Sequence, residues 1–216
     1  MPIRSGQPLP LRDGRFGVLR PSRMAVAVQR SQVGSGLVQV QSLVVVAAGS
    51  RHLDWSVEAV ALSLLVSSAP RLVHAVFHGA ARGADALVDQ AARHLGLPVQ
   101  AVPAHWSRYG RSAGPRRNAL MLQQAHDLAA ARSTALHAVG VMVLLFPGGV
   151  GTASLRRLAG RRVGVVPVEL VCVSLAPAAA AAGTAESSAP GTSSLRPWQG
   201  LRELAAQGVS RPSEIQ

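Results

Sequence analysis

The chain predicts an α/β fold: a Rossmann-like open parallel sheet of about five strands with helices on both faces. Three observations predict it. Apolar runs such as Leu43-Val44-Val45-Val46-Ala47-Ala48 are continuous rather than alternating, the pattern of strands covered on both sides. These runs alternate with helix-period segments, strand then helix throughout. Glycine-rich turns follow three of them, at Gly49, at Gly79 to Gly83 and at Gly148 to Gly151.

Each element follows in order. The run from Leu43 ends at Gly49-Ser50-Arg51, and Asp54 is the expected N-cap of a helix whose inner face carries Val57, Val60, Ala61, Leu64 and Leu65. Pro70 closes it. Val73 to Phe77 is the second strand, leading through His78-Gly79-Ala80-Ala81-Arg82-Gly83-Ala84-Asp85 into a helix with Ala84, Leu87, Val88, Ala91 and Leu95 on one face and Gly96 as its stop. Pro98 to Val102 is the third strand, and 103–113 a polar loop. Pro115 suits the first turn of the next helix, which carries Met121, Leu122, Ala125, Leu128 and Ala129. Val139 to Phe146 is the fourth and most apolar strand, and a short helix ends near Gly160. Val163 to Val173 supplies the fifth strand, with Pro167 shortening or bending it.

Outside this core, the sequence divides into three parts. Residues 1–36 lack sustained periodicity and read as a poorly ordered tail, with Met24 as an alternative initiator. Residues 37–175 form the Rossmann-like domain, and 176–216 a low-complexity tail with a short helix from Leu195 to Leu204.

Composition bounds the function. The net charge of +12 raises nucleic acid as a partner, but all 22 basic residues are arginine and alanine is abundant, the mark of a GC-rich coding sequence. Aromatic residues are only 3% of the chain, too few for the stacking platforms of single-strand binders, so nucleic acid is not favoured. One cysteine, Cys172, fits a reducing, cytoplasmic setting. No secretory leader or membrane span is expected. The seven histidines show no metal-ligand spacing, so neither a metal nor a cofactor is expected. Without lysine there is no P-loop, and no dinucleotide fingerprint follows the first strand.

Three glycine-bearing turns carry the chemistry. In an open parallel sheet, ligands sit beyond the carboxyl ends of strands where the strand order reverses. With order 3-2-1-4-5, strands one and four flank that crevice. Gly148, Gly149, Gly151 and Thr152 then form a turn into a helix, whose bare amides and positive dipole end suit a phosphate. Gly49, Ser50 and Arg51 can add backbone donors, a hydroxyl and a guanidinium. Gly79 and Gly83 bend the neighbouring turn. There, Asp85 either accepts ribose hydroxyls or caps backbone amides, and Arg82 either clamps phosphate or stays solvated. Arg116, Arg117 and Asn118 open a helix whose dipole opposes the arginines unless an anion is present, and Trp106 or Tyr109 can stack on a base.

The segments from His78 to Asp85, from Trp106 through Asn118, and Phe146-Pro147-Gly148-Gly149-Val150-Gly151-Thr152-Ala153, with Gly49-Ser50-Arg51 and Asp54, resemble the YspA-like, YpsA-related branch of the SLOG superfamily, named for Smf/DprA and Lonely Guy proteins. The likeness covers about residues 43–170. It implies a fold that binds or senses nucleotides or nucleotide-derived phosphates, such as ADP-ribose-like species, in bacterial or phage conflict and signalling. Ala80 stands where that family usually has glycine. Lonely Guy phosphoribohydrolases carry a glutamate three residues after the motif threonine, and here Leu155 fills that position, so a hydrolase needs Asp54 or Asp85 instead. A nucleotide-derived small molecule is thus the expected partner. Homo-oligomerisation is open, and nucleic-acid binding as in DprA relatives is the remaining alternative.

Overall fold

Leu43, Val44, Val45, Val46 and Ala47 are all buried at the centre of the sheet, as a continuous apolar run requires. The computed structural model describes residues 24–33, 39–161 and 166–177. In chain order the elements are β1 (Met24–Val33), β2 (Val40–Ala48), α1 (Val57–Ser68), β3 (Leu72–His78), α2 (Ala84–His94), β4 (Val99–Ala101), α3 (Trp106–Tyr109), α4 (Ala113–Arg132), β5 (Ala138–Leu145), α5 (Val150–Gly160) and β6 (Val168–Pro177).

The sheet runs β1-β6-β5-β2-β3-β4. Pairings β2–β3, β2–β5, β3–β4 and β5–β6 are parallel, and β1 alone is antiparallel, against β6. The fold is therefore Rossmann-like α/β, with the predicted 3-2-1-4-5 order inside it. One apolar cluster lies under α1 and α2, with Val60, Leu64, Val88 and Ala91 on Val45 and Met142. The other lies under α4 and α5, where Met121, Leu122, Ala125 and Leu155 meet Val44, Val141 and Val143. Among the described residues, no helix is long and apolar enough to cross a membrane.

Four expectations need correction. The sheet has six strands, because part of the supposed N-terminal tail, Met24–Val33, forms β1. That edge strand has one neighbour and a weak pattern, with Val26 and Val28 turned to the core and Ala27, Gln29 and Ser31 exposed. Long-range pairing stabilises it: Arg30 donates to Glu169 on β6 at 3.2 Å and to the Val66 carbonyl at 3.0 Å. Second, the last strand is Val168–Pro177, beyond Pro167, whose missing N–H and fixed φ favour the position outside the ladder; 163–165 of the expected strand lie outside the described residues. Third, Ser56 rather than Asp54 caps α1, its Oγ accepting from the Ala59 amide at 3.2 Å. The chain reaches that cap extended, so that Trp55 packs edge-on against Phe146 with ring centroids 5.5 Å apart. Fourth, the polar loop after β4 is partly helical and contains α3. Residues 1–23 and 34–36 of the expected first tail, and 178–216 of the second with its Leu195–Leu204 helix, lie outside the described residues.

His74 on β3 links the fold to pH. Burial first, then the charge of Arg132 and the proximity of His137, hold its pKa below the ordinary 6.5. Its Nε2 is buried without a partner among the described residues. The folded protein thus resists protonating His74 while the unfolded chain does not, so stability is full above about pH 6.5 and erodes as pH falls below it. Thermal melts from pH 8 to pH 5 should show Tm falling through that window, with a shallower slope in His74→Leu.

Candidate functional site

The turns that leave β2 and β5 are tied together by main-chain hydrogen bonds. Ser50 N–H donates to the Pro147 carbonyl at 2.8 Å and Phe146 N–H to the Ala48 carbonyl at 2.9 Å. The Ser50 carbonyl accepts from Ala84, the first residue of α2, at 2.9 Å. One residue therefore joins all three glycine-bearing turns. The junction is too tight for side chains. A Cβ on Gly49 would lie 2.6 Å from Ala84 Cβ and 2.7 Å from Phe146 Cβ. Gly83 has φ +73° and abuts Ser50 and Arg51, so it needs both a left-handed backbone and no side chain.

At this junction opens a cavity of about 520 Å³, at the carboxyl ends of β2 and β5 where the sheet order reverses. Gly49, Ser50 and Arg51 line it from the β2 turn, and Gly149, Gly151 and Thr152 from the β5 turn. Of the other predicted residues, Asp85, Arg117 and Asn118 also line it. A second cavity, of about 440 Å³, adjoins it and takes in Gly79 and Arg82.

The first turn of α5 faces the larger cavity without a side-chain cap. Four amides at a helix start lack intrahelical partners, so this end presents donors and a positive dipole. Asn118, itself buried, donates from Nδ2 to the Gly151 carbonyl at 3.1 Å and so fastens the turn to α4. Thr152 Oγ1 is buried and has no hydrogen-bond partner among the described residues. Gly148 lies beneath it, where a Cβ would collide with that hydroxyl. Gly148 and Gly83 thus shape the turns and line neither cavity.

Charge is one-sided. Arg51, Arg111, Arg117 and Arg157 line the larger cavity, against Asp85 as its single carboxylate among the described residues. Asp85 is buried, and its Oδ2 accepts from the Ala81 amide at 3.1 Å and from Arg117 at 3.4 Å. It therefore caps a backbone amide, the second of the two sequence alternatives, while also standing in the cavity wall. The Arg117 guanidinium lies over Gly79, where any Cβ would overlap it, and its Nε is buried without a partner. Arg51 sits over the Trp106 ring, 5.4 Å from the centroid.

Besides Gly83 and Gly148, two predicted residues stand outside both linings. Arg116 packs on Tyr109, 4.7 Å from the ring centroid, and Asp54 is exposed; neither lines either of these two cavities. The helical period sends Arg116 to the outer face when Arg117 turns inward. Asp54 precedes the cap of α1 and is left to solvent beside Trp55. Sequence reasoning missed Arg111, Ser154 and Arg157. The signal for the last two is their spacing: Val150, Ser154 and Arg157 fall at i, i+4 and i+7 on the face of α5 opposite Leu155 and Ala159. Among the described residues, no three His, Cys, Asp or Glu side chains gather to hold a metal.

Fold and cavity together define a Rossmann-like α/β protein with an arginine-lined crevice at the switch point of its sheet. No family model matches the chain, and neither does any curated protein or solved structure.

Two glycine variants separate folding from cavity function. Gly83→Ala should destabilise the protein by roughly 1–3 kcal/mol in urea denaturation, because φ +73° and the Ser50 backbone oppose a Cβ. A Cβ on Gly151, by contrast, would meet nothing within 4 Å. Gly151→Ala should therefore stabilise α5 by about 0.5–1 kcal/mol in the same measurement.

Proposed function

We propose that the protein binds a nucleotide or nucleotide-derived phosphate in the larger cavity, with the phosphate on the first turn of α5. The uncapped start of α5, opening beside the Ser50–Pro147 junction with the unpartnered Thr152 hydroxyl, carries this reading. Phosphate oxygens supply the acceptors that these donors lack. Arg51 and Arg157 add charge-assisted contacts, and Trp106, 49% exposed at the rim, offers a face for a base. Two or three such contacts at about 1.5–3 kcal/mol each, less ordering costs, correspond to affinity in the micromolar to high-micromolar range. The resemblance to the YspA-like branch of the SLOG superfamily points the same way and supports a sensing role.

Binding is favoured over hydrolysis by Leu155. It is fully buried against Met121 and Val143, so the position of the Lonely Guy glutamate belongs to the core. Asp85 is the carboxylate left in the cavity wall, already engaged by Ala81 and Arg117. Incubation with nucleoside monophosphates should release no free base. Release that is abolished by Asp85→Asn would replace the binding reading with an N-glycosidic one.

Calorimetry against a nucleotide panel, preceded by native mass spectrometry for a co-purifying small molecule, tests the proposal. Thr152→Val keeps the shape of the side chain and removes a buried, unpaired hydroxyl. It should leave Tm unchanged or raise it while weakening nucleotide binding about tenfold. No heat with any nucleotide at millimolar concentration would defeat the assignment.

A further inference from the structure

The second cavity, of about 440 Å³, has a wall unlike that of an ordinary surface dent. Arg51, Arg82 and Arg117 line it, and among the described residues no carboxylate does. It shares Arg51, Ala81, Trp106 and Arg117 with the larger cavity, so the same guanidiniums face both chambers. The Arg51–Trp106 stack stands between them as a bar.

Two further observations mark this chamber as an anion site. Arg117, 15% exposed, has one weak partner, Asp85 at 3.4 Å, and its Nε is buried with no acceptor. A largely buried guanidinium with so little compensation is costly, and an anion beside it offsets that cost. Ala80, at the chamber's wall, holds φ +55°, a left-handed conformation that side chains disfavour by roughly 1–2 kcal/mol. The loop is held in that shape by its neighbours: the Ala80 amide donates to His78 Nδ1 at 3.3 Å and the Ala81 amide to Asp85. Strain maintained by surrounding hydrogen bonds is a feature of ligand-holding loops.

We infer that the ligand carries two phosphate groups, one on the α5 turn in the larger cavity and the other among Arg51, Arg82 and Arg117 in the second chamber. This rests on the nucleotide reading above and narrows it to nucleotides with a second phosphate. That phosphate either follows the first directly or hangs from the far side of the ribose. In both cases Arg51, with five N–H donors, serves the two groups at once. Trp106 gives up its guanidinium partner when Arg51 turns to phosphate, and its indole becomes available to the ligand.

The test is calorimetry on the full chain with three probes for each common base: nucleoside 5′-monophosphate, 5′-diphosphate and 3′,5′-bisphosphate. One of the two doubly phosphorylated forms should bind at least tenfold more tightly than the monophosphate. Which of them does so identifies where the second phosphate is attached. In Arg82→Gln the ratio of the two affinities should fall towards one. Arg82 is exposed, so this variant folds normally, and Pro103→Asp, which puts a carboxylate on the same wall, should give the same result. A monophosphate that binds as tightly as both other forms overturns the two-phosphate inference and leaves the nucleotide site standing. A preference for two phosphates that survives both substitutions overturns the placement in this chamber. Silence with all three probes overturns the nucleotide reading itself.

Discussion

The main chain of Ser50 holds together the end of the sheet where the cavity opens. Its N–H is spent on Pro147, after β5, and its carbonyl on Ala84, at the start of α2. These bonds sit where two turns and a helix start approach to within side-chain contact, and glycine at 49 and 83 makes the approach feasible. Three segments distant in sequence are thus brought to one point by backbone chemistry alone. The cavity is what remains open beside that junction. Any shift of Ser50 would move the α5 turn, the Arg51 guanidinium and the α2 start together.

A packed core makes this rigidity possible. The residues beneath the junction, Ala47, Leu144 and Phe146, are buried, and Trp55 braces Phe146 from the side. Polar residues at the junction are fastened rather than free. Asn118 secures α5, and Asp85 secures the loop before α2. Against this ordered frame, two buried groups in the wall of the larger cavity stay unsatisfied: the Thr152 hydroxyl and the Arg117 Nε. Buried polar groups normally find partners on folding. Donors left without acceptors in a positively charged cavity favour an anion as the missing partner.

The sequence shows the central strands, the helices between them and the three converging turns, because each of these is a local pattern. Continuous apolar runs mark β2 and β5, and glycine marks the turns. Arg111 escaped because nothing local distinguishes an arginine that lines a cavity from one that is solvated, and Arg157 because its helical spacing shows a shared face of α5 but not what that face meets. The choice between Arg116 and Arg117 depends on the rotation of α4 about its axis, which packing on the sheet decides. Ser56 displaced Asp54 as the cap of α1 for a similar reason: Trp55 had to reach Phe146.

By itself, then, the order of apolar runs and glycine turns determined a Rossmann-like sheet and the end at which its crevice opens, since both follow from short-range periodicity and strand handedness. Tertiary structure decided the rest. β1 exists because β6 offers it an edge and Glu169 holds its arginine, a partnership across 139 residues that no window of sequence contains. The wall shared by the two cavities depends on Arg51 meeting Trp106, side chains carried by the β2 turn and by α3. Contacts of that kind are fixed by how the layers pack, and packing is a property of the whole chain.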